Sequence, residues 1–187
     1  MCIARLITCV VVPAFSAALL AQAPATTQAT DPYKPFADDA GTWDANVNMY
    51  FGGPNKSPTE SKGIETTELV GGGKASRTTF KYKMRNRPFE GHGLYGYDAR
   101  TKEYTGLWVD NFAAAPSLMK GTYDPAQKTL TLLSTSVDGA GTEMKVKHVA
   151  KHIDERTKTL EIFMIVDAPG GKTQDLLLMS MTAKKRP

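Results

Sequence analysis

Three histidines, His92, His148 and His152, are the first residues to weigh for metal, haem or proton-transfer chemistry. His148 and His152 share the parity of Met144, Val146 and Ala150, while Lys145, Lys147 and Lys151 take the alternate positions. In an extended strand this turns both imidazoles inward and the lysines to water. Four residues along a strand span about 13 Å, and zinc holds each nitrogen at roughly 2 Å, so the pair does not share one zinc ion. No metal site is expected. One inward histidine is enough for haem iron, and His148, with His92 as second candidate, keeps haem as the alternative to no cofactor.

Nucleophilic catalysis is poorly served, because the sequence has no G-x-S-x-G turn and sets no serine against a histidine. No catalytic residue is assigned. Glu65, Glu90 and Asp110 are the carboxylates that a closed sheet could bring together, as a hydrolase or isomerase working at a barrel mouth would require. Trp43 and Trp108 are large rings with one N–H donor each, suited to filling an interior or stacking on a ligand. Asp110 lies two residues from Trp108 and on the same face. It either marks a strand end at the mouth or orients a bound polar group.

The elements that must position these groups read as strands. Trp43, Ala45, Val47, Met49 and Phe51 alternate with polar residues, and Phe80, Tyr82 and Met84 alternate with Lys81, Lys83 and Arg85. Further runs follow at 62–70, 93–97, 104–110, 118–123, 129–137, 143–152, 159–166 and 173–183. Their joints are turn chemistry: Asp98-Ala99-Arg100-Thr101, Asp124-Pro125, Asp138-Gly139-Ala140-Gly141 and Pro169-Gly170-Gly171. The one helix candidate is Pro35 to Ala40. About ten short strands at hairpin spacing predict an all-β, antiparallel up-and-down barrel, because closure buries the apolar face and removes the edges.

Residues 1–25 read as a secretory signal peptide: Arg5, then an apolar run from Leu6 to Leu20, then Ala21-Gln22-Ala23 and Ala25 as small residues for cleavage. The apolar run is shorter than the roughly 20 residues a bilayer requires, so no transmembrane segment is expected in the mature chain. Cys2 and Cys9 leave with the signal, which removes disulfides and thiol chemistry. Residues 26–32 are expected as a flexible leader and 33–187 as one domain, periplasmic or secreted. A net charge of +4 over 187 residues is too small and too dispersed for nucleic-acid binding. Outward Lys81, Lys83, Arg85 and Arg87, with Lys145, Lys147 and Lys151, would form a basic stripe able to meet an anionic envelope if their strands were adjacent.

Gly41-Thr42-Trp43, the run Gly91-His92-Gly93-Leu94-Tyr95-Gly96-Tyr97-Asp98, Leu107-Trp108-Val109-Asp110 and Gly121-Thr122-Tyr123-Asp124 resemble the pattern of the DUF1579 family of secreted bacterial domains. The resemblance implies a lipocalin-like or calycin-like barrel and brings no catalytic residues. Physically, the glycine run reads as a tight hairpin closed by Asp98; without a following helix or a Lys-Ser/Thr pair it is no phosphate cradle. A barrel of this size holds either a packed core or one small ligand. The expected function is therefore binding of a small hydrophobic or amphipathic molecule, with Trp43, Tyr82, Met84, His92, Tyr97, Trp108, Asp110 and His148 as candidate contacts. An envelope interaction protein with a packed core is the other alternative.

Overall fold

A computed structural model describes residues 31–51 and 56–187. The expected export segment, 1–25, and residues 26–30 of the leader lie outside the described residues. A short helix, α1 (Lys34–Asp39), precedes ten strands: β1 (Gly41–Met49), β2 (Thr59–Val70), β3 (Ala75–Met84), β4 (Arg87–Asp98), β5 (Glu103–Asp110), β6 (Ser117–Asp124), β7 (Thr129–Val137), β8 (Glu143–Asp154), β9 (Thr157–Ala168) and β10 (Lys172–Lys185). Each strand pairs antiparallel with its neighbour in sequence, and β1 pairs with β10, closing the barrel. The predicted class, strand count and single N-terminal helix are those observed. Among the described residues no helix is long and apolar enough to cross a membrane.

Period-two patterning sets the inside and outside of this barrel. On β3, Ser76, Thr78, Phe80 and Tyr82 are buried while Arg77, Lys81 and Lys83 are exposed. On β1, Trp43, Ala45 and Val47 are buried between exposed Asp44 and Asn46. Phe51, expected as the last inward residue of that strand, lies beyond its end, 43% exposed, with the Arg85 guanidinium 3.9 Å above its ring.

Aspartates at strand ends close the turns with their own side chains. Asp98 Oδ1 accepts the Arg100 N–H at 2.9 Å, Asp124 Oδ1 that of Ala126 at 2.8 Å, and Asp138 Oδ1 those of Ala140 and Thr142 at 2.9 Å. The β3–β4 hairpin instead turns on Arg85 (φ 50°) and Asn86 (φ 62°), the left-handed pair of a two-residue type I′ loop.

Two expectations are corrected by this topology. The glycine run is no hairpin: Gly91, Gly93 and Gly96 lie inside β4, and only Asp98 sits at a turn. Its inward glycines make room for rings, since a Cβ on Gly91 would stand 2.2 Å from Trp108 Cζ2 and one on Gly93 would stand 2.4 Å from Tyr95 Cε2. The basic stripe does not form either, because the closed strand order puts β3 and β8 on opposite sides of the barrel.

Candidate functional site in the barrel interior

One end of the barrel is closed by α1. Phe36, 3% exposed, packs among Tyr104, Met119 and Leu132, and the Tyr104 hydroxyl donates to the Pro32 carbonyl at 2.8 Å. At the C-terminus of the helix, Asp39 ties it to the wall. Its carbonyl accepts the Trp43 Nε1–H at 2.8 Å, and its carboxylate meets Lys158 Nζ at 2.5 Å, Thr67 Oγ1 at 3.1 Å and His152 Nε2 at 3.5 Å.

Lys158 points inward from β9, only 6% exposed, and donates to Glu65 Oε1 as well as to Asp39, with the Trp43 ring centroid 4.5 Å from its ammonium. The cluster is satisfied internally, as buried charges must be. Burial opposes charge on Asp39, but Lys158 and then His152 outweigh it and hold the carboxyl well below its usual range. Burial, reinforced by the charge of Asp39, pushes Glu65 upward despite Lys158. For Lys158, burial works against the ammonium, and the two carboxylates outweigh it and raise its pKa.

A cavity of about 800 Å³ runs from this floor to the opposite end, where Phe51, Arg85, Phe112 and Gly139 line it. One wall is aromatic. Phe80 and Tyr82 have ring centroids 5.0 Å apart, Tyr82 and Phe89 4.5 Å, and Phe89 stacks on Phe112 at 5.9 Å. Among the described residues the Tyr82 hydroxyl meets two thioether sulfurs, Met49 Sδ at 3.7 Å and Met84 Sδ at 3.9 Å, and burial raises its pKa. The wall opposite carries His148 on β8, whose Nε2 is 3.3 Å from Ser134 Oγ, and a pair of hydroxyls, Ser117 and Ser136, 2.9 Å apart. Burial pushes the His148 imidazole down to about 4, so it is neutral at physiological pH.

Five of the residues expected at the site, Tyr82, Met84, Trp108, Asp110 and His148, line this cavity. Trp43 and Tyr97 are inside the barrel but outside the lining: Trp43 is fully buried beneath Lys158, and Tyr97 packs on Tyr33 and Tyr104 at the capped end. His92 is a correction. Inward positions of β4 are odd-numbered, so His92 faces out, with Nε2 3.1 Å from Glu90 Oε1 and Nδ1 3.2 Å from Thr79 Oγ1. Of the two histidines considered for haem, only His148 reaches the interior. The three carboxylates considered for acid–base work are also dispersed: Glu65 at the floor, Asp110 near the mouth, and Glu90 outside with Lys81 at 3.2 Å. Among the described residues, no group of three metal-ligating side chains converges.

Asp110 builds the mouth. Its Oδ2 accepts the Trp108 Nε1–H at 2.9 Å, and its Oδ1 accepts the N–H groups of Phe112 and Ala113, both at 2.8 Å. Asp110→Ala releases all three donors and is expected to cost about 2 kcal/mol. Urea denaturation measures the loss, and hydrogen exchange reads its location: the Phe112 and Ala113 amides lose protection while those of β3 and β10 keep it.

Sequence reading passed over Asp39, Lys158, Tyr95, Phe89 and Ser134. For Lys158 a signal existed, because it shares the parity of inward Leu160 and Ile162 and is the one lysine of β9.

The family described as Protein of unknown function (DUF1579) matches residues 28–185. No curated protein matches. Among solved structures, Rv2717c from M. tuberculosis is 14% identical with a TM-score of 0.59, covering 84% of this chain and 99% of its own. The S-type phycobiliprotein lyase CPES from Guillardia theta is 9% identical with a TM-score of 0.54, covering 85% of this chain and 94% of its own. At these identities the likeness is one of fold, a calycin-like barrel.

Proposed function

The chain belongs to the DUF1579 family, and for this member we propose that the barrel is a carrier for a small hydrophobic or amphipathic molecule. The observation that carries the reading is the cavity of about 800 Å³, within the range of small-molecule sites, walled mainly by aromatic, Met and Leu side chains and reaching the rim at the end away from α1. The chamber sets an aromatic wall against His148 and the hydroxyl pair of Ser117 and Ser136, which suits a molecule with an apolar and a polar part. The signal peptide read in residues 1–25 supports action in the periplasm or outside the cell.

The enzymatic alternative has less support, since the carboxylate at the mouth is committed to Trp108 and to two backbone N–H groups. Native mass spectrometry of the full chain, purified from its host, tests the carrier reading. A non-covalent adduct that leaves on collisional activation is the expected result. A bare chain that also fails to take up apolar fluorescent dyes overturns it.

A further inference from the structure

The chamber is two-sided. Strands β3 and β8 face each other across the closed order, β3 bringing Phe80 and Tyr82 and β8 bringing His148. On the first side the rings of Phe80, Tyr82, Phe89 and Phe112 form an unbroken track from the interior to the rim, each within 4.5–5.9 Å of the next. Trp108 lines the chamber from β5, held by Asp110 and seated over Gly91. Ring pairs this close form a continuous aromatic wall against which a planar aromatic guest can pack, edge to face or stacked. On the second side His148 has one hydrogen-bond partner among the described residues, the Ser134 hydroxyl. An imidazole has two ring nitrogens, so the other is available to a guest.

Most charges bordering the chamber are matched internally, while Lys128 and Arg85, which also line it, have no carboxylate partner among the described residues. Lys158 is closed by Asp39 and Glu65, and Asp110 by three N–H donors. A cationic guest would give up its water without gaining a free carboxylate in the interior, and an anionic one would find unpaired cations only towards the two ends, in Lys128 and Arg85, away from the wall that faces His148. Four carboxylates, Asp39, Glu65, Asp110 and Asp138, against three cations, Arg85, Lys128 and Lys158, leave no excess of positive charge in the lining to draw in an anion. Arg85 stands apart, at the rim over Phe51.

We propose that the chamber selects planar, uncharged aromatic molecules bearing a hydroxyl or carbonyl group, the ring lying on the Phe80–Tyr82–Phe89 wall and the polar edge bonding to His148. This rests on the carrier reading and names its ligand class. Neutral His148 both accepts and donates, and so serves a hydroxyl or a carbonyl by tautomer; Ser134 does the same on the other nitrogen.

Four probes of one shape test it by isothermal titration of the full chain near neutral pH: 2-naphthol, 2-methylnaphthalene, 2-naphthoate and 2-naphthylmethylammonium. The expected order puts 2-naphthol about tenfold tighter than 2-methylnaphthalene, the gain of one buried hydrogen bond, and both ions weaker than either. His148→Leu and, separately, Ser134→Ala should reduce the naphthol advantage without weakening 2-methylnaphthalene, whose binding reports that the chamber is intact. Equal binding of all four probes leaves the carrier standing and overturns the selectivity. Tightest binding of 2-naphthoate overturns it in favour of an anion site, at the rim if the binding is lost in Arg85→Ala and at the α1 end if it is lost in Lys128→Ala. Binding by none of the four overturns the ligand class, and the carrier reading falls with it where native mass spectrometry also gives a bare chain that takes up no apolar dye.

Discussion

Lys158→Met is expected to destabilise the barrel by about 3–5 kcal/mol near neutral pH, the range for removing one partner of a buried ionic group. The ammonium is enclosed by Asp39, Glu65 and the face of Trp43, and its removal leaves two carboxylates facing each other in a site where Glu65 is 6% exposed. The two carboxylates respond oppositely to pH in the native protein. Asp39 has a lowered pKa, so its contribution is present above the unfolded value and lost only as pH falls through the folded one. Glu65 has a raised pKa, so its contribution is present below the unfolded value and lost as pH rises through the folded one.

Without Lys158 both carboxyl groups shift upward, because burial is no longer opposed by the ammonium. The variant then binds more protons folded than unfolded and regains stability as the solution is acidified. The gap between wild type and Lys158→Met should therefore narrow between about pH 7 and about pH 5. Urea midpoints at both pH values measure it, with exposed Lys83→Met as a control expected within about 0.5 kcal/mol of wild type. A gap that stays constant or widens on acidification would mean that the carboxylates do not depend on Lys158.

How far the sequence foretold this molecule follows from what each pattern encodes. Strand alternation is a local property, and it put a run in each of the ten strands, most sharply in β1 and β3, where buried and wet residues alternate, while β4 was cut short because its glycines read as a turn. Aspartate turns are equally local, and those after β4, β6 and β7 are closed as Asp98, Asp124 and Asp138 suggest. Parity also places His148 inside, and applied to β4 it would have put His92 outside, since His92 is even-numbered where Tyr95 and Tyr97 face in. What stayed hidden is the meeting of residues far apart in the chain. Asp39 and Lys158 are 119 positions apart and Glu65 and Lys158 are 93 apart, and only closure of the barrel brings them into one cluster. The basic stripe failed for the same reason in reverse: two strands with like patterns ended on opposite walls.

The glycines of the family-like motifs give the other large effect. Gly121→Ala should cost about 3 kcal/mol or more, while Gly96→Ala should be neutral or stabilising by about 0.5 kcal/mol. Both glycines lie inside strands, so conformational freedom does not separate them. Space does: a Cβ on Gly121 would stand 1.8 Å from the Thr131 carbonyl oxygen and 2.9 Å from Leu132 Cα, whereas one on Gly96 would meet nothing within 4 Å. The Thr131 obstacle is backbone within the β6–β7 ladder, where Gly121 faces Leu132, so relief requires the two strands to part.

Gly91→Ala falls between them, because its obstacle is the Trp108 ring, a side chain that can turn. Turning Trp108 breaks its bond to Asp110 and drives the ring into the chamber. That variant should fold with a loss of about 1–3 kcal/mol and show altered tryptophan fluorescence. Thermal melts of the three variants order them. If Gly121→Ala melts with Gly96→Ala, close strand approach is not what glycine supplies at position 121. If Gly91→Ala keeps both the Trp108 emission and the binding of 2-methylnaphthalene, the ring over Gly91 does not shape the chamber.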